Sequence, residues 1–244
     1  LPYPIRIVEE FEPLGTGGAI QNCKPYIDGT FVVLNGDLVS SINVGEMLKF
    51  HREQGGIASI SLWEVEDPTR FGIADLGNDG KISRFKEKPT IEEAFSNLIN
   101  AGAYILEPEV FDRMPDGAHS IERDVYPSLA AEGLLNGYPY TGWFVDAGTP
   151  SSWIEAMEVC LQNKKWLYGK QEDDTTWIGD NVEIGNDCKL KLSSISDGAK
   201  VGAGSSIQQT SVLKGAIIGD CAILSGCLVG SGAKIGTGAC LLYT

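Results

Sequence analysis

Four apolar residues, Phe31-Val32-Val33-Leu34, run directly into Asn35-Gly36-Asp37, and this junction is the first place where the chain could do chemistry. A short apolar run bounded by turn residues reads as a strand buried on both faces. Open parallel α/β sheets bind ligands beyond the carboxyl ends of their strands. Asp37 would then offer a hard oxygen ligand at the mouth of a site, and Gly36 would let a ligand approach the backbone. An ordinary Asn-Gly-Asp turn has the same sequence. A second apolar run, Trp143 to Val145, also ends on a carboxylate, Asp146.

These residues need elements to position them. After Asp37, the segment from Asn43 to Gln54 places Val44, Met47, Leu48 and His51 on one helical face, and Gly55-Gly56 stops it. Ala58 to Val65 reads as the next strand. Strand, helix and strand in succession make a βαβ unit and imply a parallel sheet. Gly72 to Phe85 reads as a hairpin turning at Asn78-Asp79-Gly80. Ile99 to Leu106 is a further strand, Ile121 to Ala131 a further helix, and Pro150 to Tyr168 a helix with proline in its first turn.

From Trp177 the period changes. Ile178, Ile184 and Leu190 are six apart, as are Ile195, Val201, Ile207 and Leu213. Ile218 and Leu224 continue the spacing, followed by Val229, Ile235 and Leu241. Glycine often follows the anchor, as in Ile184-Gly185 and Val201-Gly202, where it would serve tight corners. Such repetition marks a parallel β-helix, each turn burying its anchors against the next. Steps of five at 190 to 195, 213 to 218 and 224 to 229 read as skipped corner residues. The pattern resembles the hexapeptide family, whose coil is left-handed, an exception to the usual crossover hand. The expected domains are therefore 1–168 and 169–244. The repeats run to the last residues without a polar capping turn, so either the chain is cut short or another subunit covers the end.

Composition narrows the function classes. A net charge of −14 and a pI near 4.5 argue against nucleic-acid phosphates and anionic membranes as partners. The six cysteines form no C-x-x-C pair, and with only two histidines a zinc cluster is not expected. They read as free thiols of a reducing compartment. No run approaches the roughly 18 apolar residues of a membrane span, and no signal segment opens the chain. The expectation is a cytoplasmic protein.

Several stretches together resemble the sugar-1-phosphate nucleotidyltransferase family, most closely its mannose-1-phosphate guanylyltransferase (GDP-mannose pyrophosphorylase-like) branch. They are E-F-E-P-L-G-T-G-G-A from Glu10, F-V-V-L-N-G-D from Phe31, D-P-T-R-F-G from Asp67 and F-K-E-K-P from Phe85. Asn100-Ala101-Gly102 and W-F-V-D-A-G-T-P from Trp143 complete the set, and a hexapeptide coil is typical of the group. The resemblance implies an α/β, Rossmann-like mixed sheet (GT-A-like) followed by a left-handed parallel β-helix. It implies that a sugar 1-phosphate attacks the α-phosphorus of a nucleoside triphosphate and releases pyrophosphate. Asp37 and Asp146 would hold Mg²⁺, which suits a few carboxylates plus phosphate oxygens and water. Leu14 to Gly18 resembles the loop that holds base and ribose, with Gly15 and Thr16 as contacts and Gly36 beside the nucleotide. Glu10 occupies the base-reading position, where a carboxylate accepts from guanine but meets acceptors on thymine or uracil. Glu87 falls on the sugar hydroxyls and Lys88 on the sugar phosphate, so Lys88 joins Asp37 and Asp146 as the catalytic set. Gly72, Asn100 and Thr149 resemble further sugar contacts. Each of these residues also has an ordinary reading as a turn, cap or surface position.

The family's G-G-x-G-T-R-L loop and P-K-P segment have no counterpart, since the chain opens at Leu1-Pro2-Tyr3, already in a later strand. The expectation is an N-terminally truncated domain with little catalysis as it stands. A non-catalytic regulatory or scaffold homologue is the competing function, against which two strand-end carboxylates and Lys88 argue. A hexapeptide acyltransferase would need a histidine on the coil, and both His51 and His119 lie outside it. Self-association through the coil is expected.

Overall fold

The computed structural model describes residues 4–163, 170–171 and 175–242. They form two compact units. The first runs to Gly36 and resumes from Ser41 to Phe144; the second takes Asp37–Ser40 and continues from Val145.

The first unit is built on a six-stranded mixed sheet. Its strands are β1 (Phe31–Leu34), β3 (Ala58–Glu64), β4 (Gly72–Leu76), β5 (Ile82–Glu87), β6 (Leu98–Leu106) and β7 (Leu135–Pro139), in the order β5-β4-β6-β3-β7, with β1 also beside β6. β6 and β3 are almost wholly buried on both faces, β3 with Ser59 and Ser61 alternating between its apolar residues. β1 and β3 do not pair. Both lie antiparallel to β6, and only β3 with β7 is parallel, so the expected βαβ unit does not make a parallel sheet. Nor is β1 buried on both faces. Phe31 and Val33 face the core, Phe31 stacking on Phe111, whereas Val32 and Leu34 are 42% and 58% exposed.

Helix α1 (Gly15–Asn22) precedes β1. Helix α2 (Val44–Gln54) begins at Asn43, whose side chain accepts from the Gly45 and Glu46 N–H groups, and ends at Gly55 with φ of 64°. Its buried His51 bonds Ser59 Oγ at 2.7 Å and Glu107 Oε1 at 3.0 Å, tying α2 to β3. Serine, histidine and glutamate are thus aligned, but Ser59 is fully buried and the set is structural. The expected helix 121–131 is two short ones, α3 (Ile121–Asp124) and α4 (Tyr126–Ala131), because Pro127 opens a new helix. The strand expected at Leu1–Tyr3 lies outside the described residues.

In the second unit, β2 (Leu38–Ser40) pairs with β8 (Phe144–Asp146), and α5 (Pro150–Gln162) follows. The continuation of α5 expected to Tyr168 falls outside the described residues. The rest is a parallel β-helix with three sheets. Ile178 lies beside Ile195, Ile184 beside Val201 and Leu190 beside Ile207, an offset of 17 residues each time. One turn is therefore two steps of six and one of five. The sequence reading put one short step in the wrong place: Val212, fully buried and paired with Ile195 and Val229, is the inward anchor, and Leu213 is not. Glycines after the anchors serve close stacking rather than corners, since a Cβ on Gly185 would lie 2.5 Å from Ala203 N. The corners are held by left-handed residues, such as Asp187, Gly204, Cys221 and Gly238, again 17 apart. Helix α5 packs on this coil, with Trp153 Nε1 donating to Ser211 Oγ at 3.3 Å and Gln209 Nε2 to Glu158 Oε1 at 2.8 Å. Among the described residues no helix is long and apolar enough to cross a membrane.

Candidate active site

The centre of the first unit's site is the Tyr104 hydroxyl, carried on the buried strand β6. Asn100 Nδ2 donates to it at 3.0 Å, and the Asn35 side chain also bonds it. Burial and the neighbouring Glu122 push the Tyr104 phenol up, so it stays a neutral O–H. It donates to Glu122 Oε1 at 3.3 Å. Glu122 Oε2 accepts from the hydroxyls of Thr16 and of Ser120, the latter at 2.8 Å. A chain of hydrogen bonds, buried at its Tyr104–Glu122 centre, therefore joins Thr16 to Asn100.

Thr16 belongs to a stretch that reads as a loop and is instead the first turn of α1. Gly17 and Gly18 donate their N–H groups to the His119 carbonyl at 3.0 and 3.3 Å. A Cβ on Gly17 would sit 2.3 Å from His119 Cδ2. The glycine here allows α1 to close on the His119 segment, rather than a ligand to reach the backbone. Glu10, exposed, accepts from the Leu14 N–H at 3.2 Å and so steadies the entry to α1. Gly36 is exposed with open space where a Cβ would be, and the neighbouring Asn35 N–H donates to Gly102 O at 2.9 Å.

Glu87 and Lys88 lie at the end of β5. Gly72 on β4 is directly opposite Glu87, and a Cβ there would fall 2.7 Å from Glu87 Oε2 and 2.5 Å from Phe85 Cζ. Its missing side chain leaves room for the carboxylate. Burial, reinforced by Glu122, holds the Glu87 carboxyl above its usual range, against a weaker pull from Lys88 and Arg123. Because the folded value is raised, Glu87 favours the fold below the ordinary glutamate range and loses that contribution as pH rises through its raised value. Glu87→Gln is thus expected to raise the melting temperature at pH 7 and to change it little near pH 4; equal shifts at both pH values would contradict this. Lys88 is 58% exposed, its Nζ 4.0 Å from Glu87 Oε1. Its φ is +45°, a left-handed conformation that a lysine adopts only under constraint, here a 3.0 Å bond from its N–H to Phe71 O.

The second unit contains Asp37, Asp146 and Thr149. The Ala147 N–H donates to the Asp37 carbonyl at 2.9 Å, so β2 and β8 bring the two aspartates to one end of a two-stranded ribbon. Asp146 Oδ1 accepts from the Gly148 N–H at 3.0 Å; Asp37 is exposed. Thr149 caps α5, its Oγ1 accepting from the Ser152 N–H at 3.2 Å. Among the described residues no group of three or more histidine, cysteine, aspartate or glutamate side chains is arranged to hold a metal. Two carboxylates are still the donor set that suits Mg²⁺ when substrate phosphates and water supply the rest.

Glu122, Tyr104 and Asn35 were not found from sequence. A glutamate inside the otherwise apolar face of Ile121 and Val125, two residues after the capping Ser120, was the available signal for Glu122.

The sequence matches the family described as nucleotidyl transferase over residues 3–163. It is 31% identical over 230 residues to the probable mannose-1-phosphate guanylyltransferase 3 of Oryza sativa subsp. japonica, covering 89% of this chain and 63% of that protein. The mannose-1-phosphate guanylyltransferase catalytic subunit beta of Xenopus tropicalis is 32% identical over 194 residues, covering 75% and 53%. The chain thus spans less than two thirds of these relatives. Among solved structures, a putative glucose-1-phosphate thymidylyltransferase from Bacillus anthracis aligns with a TM-score of 0.56 at 27% identity, over 66% of this chain and 65% of that one. HddC from Yersinia pseudotuberculosis aligns at 0.51 with 31% identity, over 60% and 63%. Nucleotidyltransferases of this family generally use a divalent metal.

Proposed function

Because the chain belongs to the nucleotidyl transferase family, we propose that it serves in guanylyl transfer from GTP to mannose 1-phosphate, forming GDP-mannose and pyrophosphate. An oxygen of the sugar phosphate attacks the α-phosphorus, a new P–O bond forms, and the bond to the β-phosphate breaks. The observation that carries an enzymatic reading is the placing of Asp37 and Asp146 at one end of the β2–β8 ribbon, which a scaffold would not need. The relatives named mannose-1-phosphate guanylyltransferase favour this base and sugar.

Glu10 Oε2 is engaged by Leu14, leaving Oε1 to accept from guanine. Gly15 and Thr16 would hold base and ribose, with Gly36 admitting the nucleotide. Lys88 would meet the sugar phosphate as a point charge. Glu87 and Asn100, with Gly72 giving the carboxylate room, would bond the sugar hydroxyls, as would Thr149 beside its cap. Asp37 and Asp146 would hold Mg²⁺, which supplies charge neutralisation to phosphate oxygens when bound. The residues themselves do no covalent chemistry; they align the two phosphates and oppose their repulsion.

The six free cysteines suit a reducing compartment, and we place the protein in the cytoplasm, where cell fractionation should find it. Exposed Ile217, Ile223 and Leu242 on the coil favour self-association. Light scattering at micromolar concentration should then give a dimer or larger; a monomer would overturn that. For the reaction, the full-length gene product with Mg²⁺ should release pyrophosphate from GTP plus mannose 1-phosphate. No turnover with any common triphosphate and sugar phosphate would refute it.

A further inference from the structure

Residues assigned above to the two different substrates meet on one carboxylate. Glu122 is 8% exposed, and both of its oxygens are engaged by side chains of this chain. Its three donors are all hydroxyls: Thr16 and Ser120 on Oε2, Tyr104 on Oε1. Thr16 is on the nucleotide side. Tyr104 receives Asn100, on the sugar side, at 3.0 Å. Glu87, also on the sugar side, is close enough to Glu122 for their charges to repel.

A carboxylate can only accept, and a buried one is costly wherever a donor leaves it. Each hydroxyl is therefore held against the others. If Thr16 turns towards a ribose or base, Oε2 loses a donor, and the remaining demand falls on Ser120 and Tyr104. A tighter Tyr104–Glu122 bond draws the phenol oxygen and with it the Asn100 amide. The Thr16 oxygen also accepts from the Ile121 N–H at 3.1 Å, which sets α1 against α3.

We infer that Glu122 is a positioning residue that couples the two subsites, so that a nucleotide at Thr16 strengthens sugar-phosphate binding through Tyr104 and Asn100. The inference rests on the substrate reading above. Coupling of this kind is reciprocal, so the sugar phosphate strengthens nucleotide binding by the same factor.

The test is calorimetric titration of mannose 1-phosphate, with Mg²⁺, in the absence and presence of a GTP analogue that cannot be cleaved between the α- and β-phosphates. The analogue should tighten sugar-phosphate binding by about fivefold or more in the wild-type protein. Thr16→Val, which keeps the shape and removes the hydroxyl, should lose most of that enhancement. Glu122→Gln, which keeps the shape and removes the charge, should lose it too. A Glu122 that merely supports the fold would weaken both affinities and leave their ratio unchanged. Enhancement absent from the wild type, or surviving in both variants, overturns the coupling and spares the substrate reading. Wild-type protein that binds neither ligand overturns the substrate reading, and the coupling with it.

Discussion

Replacing Asp146 by asparagine is expected to lower turnover by about 10²–10³-fold, or about 2.7–4 kcal/mol of transition-state stabilisation. The amide oxygen can still accept from the Gly148 N–H, so the turn after β8 keeps its geometry. What disappears is the negative charge that would attract a divalent cation. The loss should therefore be smaller at saturating Mg²⁺ than at limiting Mg²⁺. Asp37→Asn should behave alike, and its exposed position makes a folding defect unnecessary to explain the result. Steady-state rates across a Mg²⁺ titration check both variants. Wild-type rates at all concentrations would overturn the proposal that the two aspartates hold a metal.

The second large effect separates function from stability at a single residue. Lys88→Gly should reduce kcat/KM for the sugar phosphate by roughly 10–100-fold, mostly through KM, because the charge-assisted contact proposed between Lys88 and the phosphate would be lost. The same change should make the protein more stable than Lys88→Ala does. A left-handed conformation costs an L-residue about 1–2 kcal/mol, and glycine pays none of it. Its greater freedom in the unfolded chain returns about 0.5–1 kcal/mol, so the glycine variant should lead by about 0.5–1 kcal/mol. Lys88 is at φ +45°, ahead of Pro89. Urea unfolding of the two variants, beside their sugar-phosphate kinetics, measures both halves. A glycine variant no more stable than the alanine variant would mean that the left-handed turn carries no strain.

Sequence legibility differed between the two units for a physical reason. The coil repeats one local rule, an inward anchor at every step, so Ile178, Ile184, Leu190 and Ile195 announced it without any long-range knowledge. The five-residue sides were legible too, but one of them was displaced by a residue until Val212 is seen to pair with Ile195 and Val229, and the glycines read as corners rather than as stacking contacts. In the first unit the long apolar strands β3 and β6 were legible from their runs. β7 was not, because Asn136-Gly137 and Pro139 read as turn residues. In the fold Asn136 bridges Gly55 O and Ser59 Oγ at 2.6 and 3.1 Å, and Gly137 leaves space for Leu62 and Leu76. The glycines at 15–18 were visible as a group, but their use depended on His119, a hundred residues away. Glu122 was hidden for the same reason. Its three donors come from α1, β6 and the Ser120 cap, and no local pattern joins them.

The most direct measurement follows the α-phosphorus. The full-length protein is incubated with Mg²⁺, mannose 1-phosphate and GTP labelled at the α-phosphate, and the products are separated. The label should move into GDP-mannose, with one pyrophosphate released for each sugar nucleotide formed. Label that stays in GTP, with no transfer from other triphosphates to other sugar phosphates, would contradict nucleotidyl transfer by this protein.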